Sequence, residues 1–141
     1  MENWPEFIRQ HFATVPFFRF LGVSVTHTAH GEARLRLPLK GEYANTYGIT
    51  HGGLIAALAD MAAGVALRTL KVRVVTVETG VDYFLPVAPE GALYAEARLV
   101  HEGSKLLHAE VNIANGEDVL VAKGRGVFFV TGEDTGRYGK E

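Results

Sequence analysis

A run of fourteen residues, 54–67, is apolar or small at every position except Asp60. The run is rich in alanine, the strongest helix former, so it predicts a long helix. A helix that is apolar on all sides is normally buried on all sides. An ionised carboxylate buried there without partners would cost several kcal/mol. Asp60 is therefore the first candidate for a functional residue.

Two glycines, Gly52 and Gly53, stand directly before this apolar run, and His51, Gly48 and Asn45 precede them. The first backbone N–H groups of a helix have no partner within the helix, and the helix dipole is positive there. Such a terminus suits a carboxylate, a phosphate or the oxyanion of an acyl-transfer reaction. The alternative is that the glycine pair is only a flexible hinge.

The spacing of Gly52 and Asp60 limits how they could act together. They are eight residues apart, which corresponds to roughly 12 Å along a helix axis. One bound carbonyl cannot contact both residues of the same helix. If both act on one substrate, Asp60 must come from a second, antiparallel copy of the helix. Such an isologous dimer would contain two equivalent sites, each built from both chains.

Residues 45–53 read NTYGITHGG, and an aspartate follows seven residues after the second glycine. This pattern resembles the signature of the hotdog-fold acyl-CoA thioesterases of the PaaI (phenylacetic acid degradation) type, and the resemblance extends over residues 20–130. It implies a helix wrapped by an antiparallel sheet, homodimers or homotetramers, and hydrolysis of acyl-CoA thioesters without a metal or organic cofactor. Whether the assembly is a dimer or a tetramer stays open.

The resemblance also implies a catalytic set: Asp60, Gly52, Asn45, His51 and Thr76. The thioester carbonyl would accept the Gly52 N–H, assisted by the Asn45 amide. Asp60 of the partner chain would activate water as general base, or attack directly to form a mixed anhydride. Thr76 would hold the attacking water, unless it is an ordinary strand residue. His51 would orient the loop or the Asn45 amide, or else touch the substrate.

A second set of residues is expected to bind the substrate and its CoA portion: Gly48, Gly53, Tyr83, Gly103, Ser104 and Lys105. A competing basic cluster follows the central helix and consists of Arg68, Lys71 and Arg73. These three side chains could instead complement the negative end of the helix dipole.

Period-two alternation and turn residues predict the remaining elements. We expect strands at residues 21–28, 32–39, 72–84, 94–101, 106–114 and 118–130. Residues 1–20 form a helical segment, with a helix at 3–13 that Asn3 caps and Pro16 ends. The tail, 132–141, is expected to fray. The whole chain, 1–141, is then a single α+β domain of one long helix and five to six antiparallel strands, which agrees with the hotdog fold that the resemblance implies.

Composition excludes several classes of function. The net charge of −2 and the pI near 6.3 provide no basic surface for nucleic acid. There is no cysteine, and neither Ser24 nor Ser104 lies in a nucleophile motif. His27 and His30 lack a third ligand for a metal. The first ten residues do not resemble a signal peptide, and residues 52–67 are too few to span a membrane, so we expect a cytoplasmic protein.

Two other functions remain open beside thioester hydrolysis. One is hydration or dehydration of an acyl thioester on the same fold, and the other is a non-catalytic acyl-CoA binding module. The acyl group also stays open: phenylacetyl, hydroxyphenylacetyl, benzoyl-type and medium-chain groups would all suit a pocket lined by Phe, Leu and Val.

Overall fold

A six-stranded antiparallel sheet and one long helix form the centre of the computed structural model, which describes residues 3–137. The elements in chain order are α1 (Trp4–Phe12), α2 (Pro16–Leu21), β1 (Ser24–Ala29), β2 (Glu32–Pro38), a short 3₁₀ turn (Gly41–Tyr43), α3 (Gly52–Arg68), β3 (Val72–Tyr83), β4 (Ala92–Glu102), β5 (Leu106–Ala114) and β6 (Leu120–Glu133). The strand order is β1-β2-β4-β5-β6-β3. The predicted α+β class is confirmed.

Helix α3 packs across the inner face of this sheet. Its buried side chains, such as Leu58 and Val65, meet the inward residues of β4 and β5 in one core. Burying a side chain of this size contributes roughly 1.5–3 kcal/mol. Gly124 of β6 lets the helix approach closely, because a Cβ at that position would lie 3.0 Å from the Cβ of Ala59. Within residues 3–137, no helix has the length and apolar character that a membrane span needs.

One stripe along α3 stays partly open, which corrects the expectation that the helix is buried on all sides. The stripe runs through Gly53, Ala56, Ala57, Asp60 and Gly64, and none of these residues is fully buried. Their spacing of three or four residues places them on one face of the helix. The sheet covers only the opposite face, so Asp60 is half-buried rather than enclosed.

Strand β3 lies at the edge of the sheet and has β6 as its only neighbour among the described strands. Its twelve residues include Val75 and Val77, whose exposed fractions are 53% and 59%. A bulge at Val77 interrupts the pairing with β6, between Thr76 and Glu78. A long edge strand with exposed apolar residues is a surface on which another chain can pair.

Both ends of the chain differ in part from the sequence prediction. The Asn3 side chain accepts the Glu6 N–H and caps α1, as expected. Pro16 does not merely end that helix but begins α2, and Gly22, with a φ of 83°, ends α2 before β1 starts at Ser24. The strand predicted from residue 21 therefore begins too early, because Leu21 still belongs to α2.

The predicted frayed tail also begins too early. Strand β6 continues to Glu133, and the Asp134 side chain is fully buried against Arg68, with 2.8 Å between Oδ2 and Nε. The Asp134 N–H donates to the Lys71 carbonyl. Residues 138–141 of the predicted tail lie outside the described part of the chain.

His11 of α1 is expected to make the stability of the protein depend on pH. Burial and the charge of nearby Arg68 lower the pKa of His11 from its ordinary value near 6.5, although Asp134 opposes the shift. The unfolded chain therefore takes up a proton at His11 more readily than the folded chain does. We expect the free energy of unfolding to fall as pH drops below about 6.5.

Urea unfolding midpoints of the wild type and of His11→Gln, measured at pH 7.5 and 5.5, test this expectation. The wild type should lose more stability between the two pH values than the variant, which has no imidazole to protonate. Equal losses in both proteins would show that His11 makes no such contribution.

Candidate active site

The start of α3 leaves one backbone donor without a partner. His51 is the N-cap, and its Nδ1 accepts the Gly53 N–H at 2.8 Å. The His51 carbonyl accepts the N–H groups of Leu54 and Ile55, at 3.0 and 3.4 Å. In residues 3–137, no acceptor faces the N–H of Gly52. The Gly52 N–H is therefore available, at the positive end of the helix, to a ligand that binds there.

The loop before α3 is folded around the Asn45 side chain. Oδ1 of Asn45 accepts the N–H groups of Tyr47 and Ile49, at 2.9 and 3.2 Å. Gly48 closes the loop with a φ of 78°, and its N–H donates to the Asn45 carbonyl at 3.0 Å. Because the side-chain oxygen already accepts two bonds, the amide NH₂ is the group left for a ligand. Gly48 thus shapes the loop.

A cleft of about 520 Å³ opens at this end of α3. Asn45, Gly52, Gly53 and Tyr83 of the predicted set line it. The other lining residues are mostly apolar: Ile49, Thr50, Ile55, Phe84, Leu85, Pro86 and Val87. None of these apolar residues was among the predicted site residues. The feature of the sequence that could have revealed this apolar wall is the short apolar run at residues 84–87, directly after the end of β3.

Tyr83, the last residue of β3, connects that strand to the helix start. Its hydroxyl donates to the Gly52 carbonyl at 2.7 Å. Partial burial raises the pKa of the Tyr83 hydroxyl above its ordinary value near 10. The hydroxyl therefore stays protonated at neutral pH, as this hydrogen bond requires. Tyr83 was predicted only as a binding residue, and its bond to the helix start follows from the structure.

Asp60 and Thr76 form a second pair. The Thr76 hydroxyl donates to Oδ1 of Asp60 at 2.8 Å. Thr76 faces the helix because it pairs in register with Phe128, which is buried on the inner side of the sheet. The bulge at Val77 lies directly beside it. The hydroxyl thus orients the one acidic side chain of α3.

The turn 103–105 joins β4 to β5. A Cβ at Gly103 would lie 2.9 Å from the Leu106 carbonyl, so the tight turn needs glycine. The Lys105 carbonyl accepts the Val130 N–H at 2.8 Å, while the side chains of Ser104 and Lys105 are exposed. Leu106 pairs with Phe129, which pairs with Val75. The turn therefore lies at the same end of the sheet as Thr76, two strand spacings or roughly 10 Å away.

The competing basic cluster is engaged in contacts within the chain. Arg68 pairs with Asp134 and lies over the Phe12 ring, at 5.4 Å from its centroid. The Lys71 ammonium lies 5.6 Å from the centroid of the Trp4 ring. Arg73 belongs to β3, and its carbonyl accepts the Thr131 hydroxyl. These contacts connect the N-terminal helix, the end of α3 and the end of β6.

Apart from Gly48 and the turn 103–105, the predicted residues therefore fall into two groups within one chain. The helix-start group consists of Asn45, His51, Gly52, Gly53 and Tyr83. The acid pair consists of Asp60 and Thr76. Eight helix residues, or roughly 12 Å, separate the two groups along α3. The helix-start group offers hydrogen-bond donors for a developing negative charge, and the acid pair offers a base or nucleophile.

Known proteins resemble this chain in sequence and in fold. The sequence pattern of the thioesterase superfamily matches residues 47–122 of this chain. A protein of Halobacterium salinarum, provisionally named an esterase, is 37% identical over 82% of this chain and 84% of its own. The hotdog arrangement predicted from the sequence is confirmed.

Solved structures extend this similarity. A variant of the phenylacetic acid degradation protein PaaI from Thermus thermophilus superposes with a TM-score of 0.78, at 31% identity, over 82% of this chain and 98% of that one. A hypothetical thioesterase from Streptococcus pneumoniae, solved with coenzyme A, superposes with a TM-score of 0.77, at 25% identity, over 80% of this chain and 91% of that one.

Proposed function

The chain belongs to the thioesterase superfamily, and we propose that it hydrolyses acyl-CoA thioesters to the free acid and CoA. The observation that carries the proposal is the hydrogen bond from Thr76 to Asp60 on the open stripe of α3. An acid in this position is oriented and accessible, as a general base or a nucleophile must be.

The helix-start group would stabilise the charge that develops on the thioester oxygen. The unpartnered Gly52 N–H and the NH₂ of Asn45 both belong to the same cleft. Removing one donor of this kind typically costs about 100- to 1000-fold in rate. His51 keeps the Gly53 N–H occupied, so Gly52 is the backbone donor in this mechanism.

The reaction balances in either of two ways. In the first, Asp60 takes a proton from water while the water oxygen bonds to the acyl carbon; the C–S bond then breaks, and the proton passes to the departing thiolate. In the second, an Asp60 oxygen bonds to the acyl carbon and CoA leaves as thiolate, and water then cleaves the mixed anhydride. A quenched enzyme whose mass has increased by the acyl group would favour the second route.

Two copies of the chain would build each site. The helix-start group and the acid pair of one chain lie too far apart to act on one carbonyl. The edge strand β3 and the open stripe of α3 are adjacent, since Thr76 of the strand bonds to Asp60 of the stripe, and a second copy could cover both. In an antiparallel pair, Asp60 and Thr76 of one copy would approach Asn45 and Gly52 of the other. The assembly would then be a dimer, or a tetramer of two such dimers.

The substrate would use both ends of the composite site. The CoA portion would contact the turn of Gly103, Ser104 and Lys105, which lies at the same end of the sheet as Thr76. A relative of this chain was solved with coenzyme A, which supports a CoA substrate. The apolar wall of the cleft would receive the acyl group, and the likeness to PaaI favours phenylacetyl or hydroxyphenylacetyl. Medium-chain acyl groups are the alternative.

Thiol release from a panel of acyl-CoAs tests this function. The panel should contain phenylacetyl-, hydroxyphenylacetyl-, benzoyl- and straight-chain acyl-CoAs. We expect turnover with at least one aryl or medium-chain thioester, and the preferred acyl group should fit the apolar wall. Tight binding of acyl-CoA without thiol release would instead favour a binding module and refute hydrolysis.

A further inference from the structure

The peptide between Gly52 and Gly53 is held at both of its polar atoms by side chains. Its N–H donates to Nδ1 of His51 at 2.8 Å, and its carbonyl accepts the Tyr83 hydroxyl at 2.7 Å. We propose that His51 and Tyr83 act as a peptide clamp that aims the neighbouring N–H of Gly52 at the substrate. Both would be positioning residues, and this role rests on the proposed thioester hydrolysis.

Two adjacent glycines make such a clamp necessary. Glycine has no Cβ and populates more backbone conformations than any other residue, so an unrestrained pair would let the first turn of α3 change direction. The Gly52 N–H lies between two fixed points. On one side, the His51 N–H donates to the Tyr43 carbonyl at 2.8 Å. On the other side, the clamped peptide fixes the backbone that follows the Cα of Gly52.

The two clamp residues come from different parts of the fold. His51 belongs to the helix cap itself, whereas Tyr83 is the last residue of β3. Tyr83 pairs in register with Ala122, which is fully buried, so its side chain faces α3. The clamp therefore joins the start of the helix to the edge strand.

Tyr83 already donates its single hydroxyl hydrogen to Gly52. It has no second hydrogen to donate to a substrate oxygen, although its ring lines the cleft. A residue that acts through Gly52 should affect the transition state more than the bound substrate. Loss of Tyr83's hydroxyl should thus lower kcat and leave KM almost unchanged.

Tyr83→Phe is the first test. Losing one neutral hydrogen bond that fixes a catalytic donor should lower kcat roughly 10-fold, with KM changed by less than about 2-fold. In ¹⁵N-labelled full-length protein, the Gly53 amide should exchange its hydrogen faster. Tyr94→Phe is the matched control, because Tyr94 is a half-exposed tyrosine outside the cleft. A raised KM with unchanged kcat, or unchanged kcat and exchange, would overturn the clamp.

His51 provides the second test. His51→Ala removes the acceptor of the Gly53 N–H and should also lower kcat about 10-fold, whereas His51→Asn keeps a side-chain oxygen suited to an N-cap and should recover most of the loss. In the double variant His51→Ala/Tyr83→Phe, the kcat loss should be smaller than the product of the single losses, because both residues fix one peptide. Independent, fully multiplicative losses would contradict a shared clamp.

Failure of the clamp and failure of the proposed function can be told apart. If the wild type releases no thiol from any acyl-CoA, the function is refuted, and the amide exchange rates of Gly52 and Gly53 still test the clamp. If the wild type is active but Tyr83→Phe matches it in kcat and exchange, only the clamp is refuted.

Discussion

Replacing Asp60 by asparagine is expected to lower kcat for acyl-CoA hydrolysis about 100- to 10,000-fold. This range is what a positioned general acid or base contributes to a reaction. An asparagine cannot take the proton of an attacking water and cannot form a mixed anhydride. The loss should therefore appear with every acyl-CoA that the wild type hydrolyses, measured as thiol release under saturating substrate.

The variant should still fold. Asparagine has nearly the same shape as aspartate, and its side-chain oxygen can still accept the Thr76 hydroxyl. Asp60 is also only half-buried, so the change leaves no unpaired group in the core. The thermal midpoint and the Kd for CoA should therefore stay close to those of the wild type.

Asp82→Asn is a suitable control for the change in charge. Asp82 precedes Tyr83 on β3, lies opposite Lys123 of β6 in the strand register, and is exposed. This control should retain wild-type turnover. Full activity of Asp60→Asn would exclude both the general-base and the anhydride route.

Replacing Gly52 by proline is expected to lower kcat about 100- to 1000-fold, because it deletes an N–H at the helix start that has no acceptor among residues 3–137. Proline is well tolerated at the first position of a helix, where its missing N–H has no partner within the helix. The preceding residue, His51, already has the extended conformation that a residue before proline favours, with φ −62° and ψ 131°.

Gly52→Ala controls for the added carbon atoms. A Cβ at Gly52 would lie 3.5 Å from the Tyr83 ring, which is an ordinary van der Waals contact. Alanine keeps the N–H, so its loss of kcat should remain under about 10-fold. Equal losses in the proline and alanine variants would mean that space in the cleft matters and the N–H does not.

The two inactive variants together test whether sites are shared between chains. If Gly52 of one chain works with Asp60 of the other, a mixed dimer of Asp60→Asn and Gly52→Pro chains contains one intact site. Random mixing makes half of the dimers mixed, so the co-refolded mixture should recover about a quarter of wild-type turnover. A mixture no more active than its parents would refute the shared site.

Several of the residues that the sequence identified make short-range contacts. Asn45 binds the N–H groups of Tyr47 and Ile49, and His51 binds that of Gly53, all within four residues. Contacts of this range depend on local backbone preferences, so a short sequence motif is enough to predict them. The same holds for the Asn3 cap, because the Asn3 side chain accepts the N–H of Glu6, three residues later.

The missed helix α2 aside, the errors concern contacts between distant parts of the chain. Asp134 is ordered because it pairs with Arg68, which is 66 residues away. The polar composition of the C-terminal segment gave no sign of that partner. The open stripe of α3 was missed for a similar reason: an all-apolar helix indicates burial, but the number of layers around it depends on how the sheet curves and where it ends.

By itself, the sequence determined that an apolar helix with a single acid lies at a glycine pair, and that alternating strands pack against it. It did so because side-chain periodicity and turn residues act over a few positions. Only the tertiary structure decided that Tyr83 reaches Gly52 across 31 residues and that Thr76 reaches Asp60 across 16. These contacts depend on the register of β3 against β6 and on its bulge at Val77, which arise from packing of the whole sheet against α3.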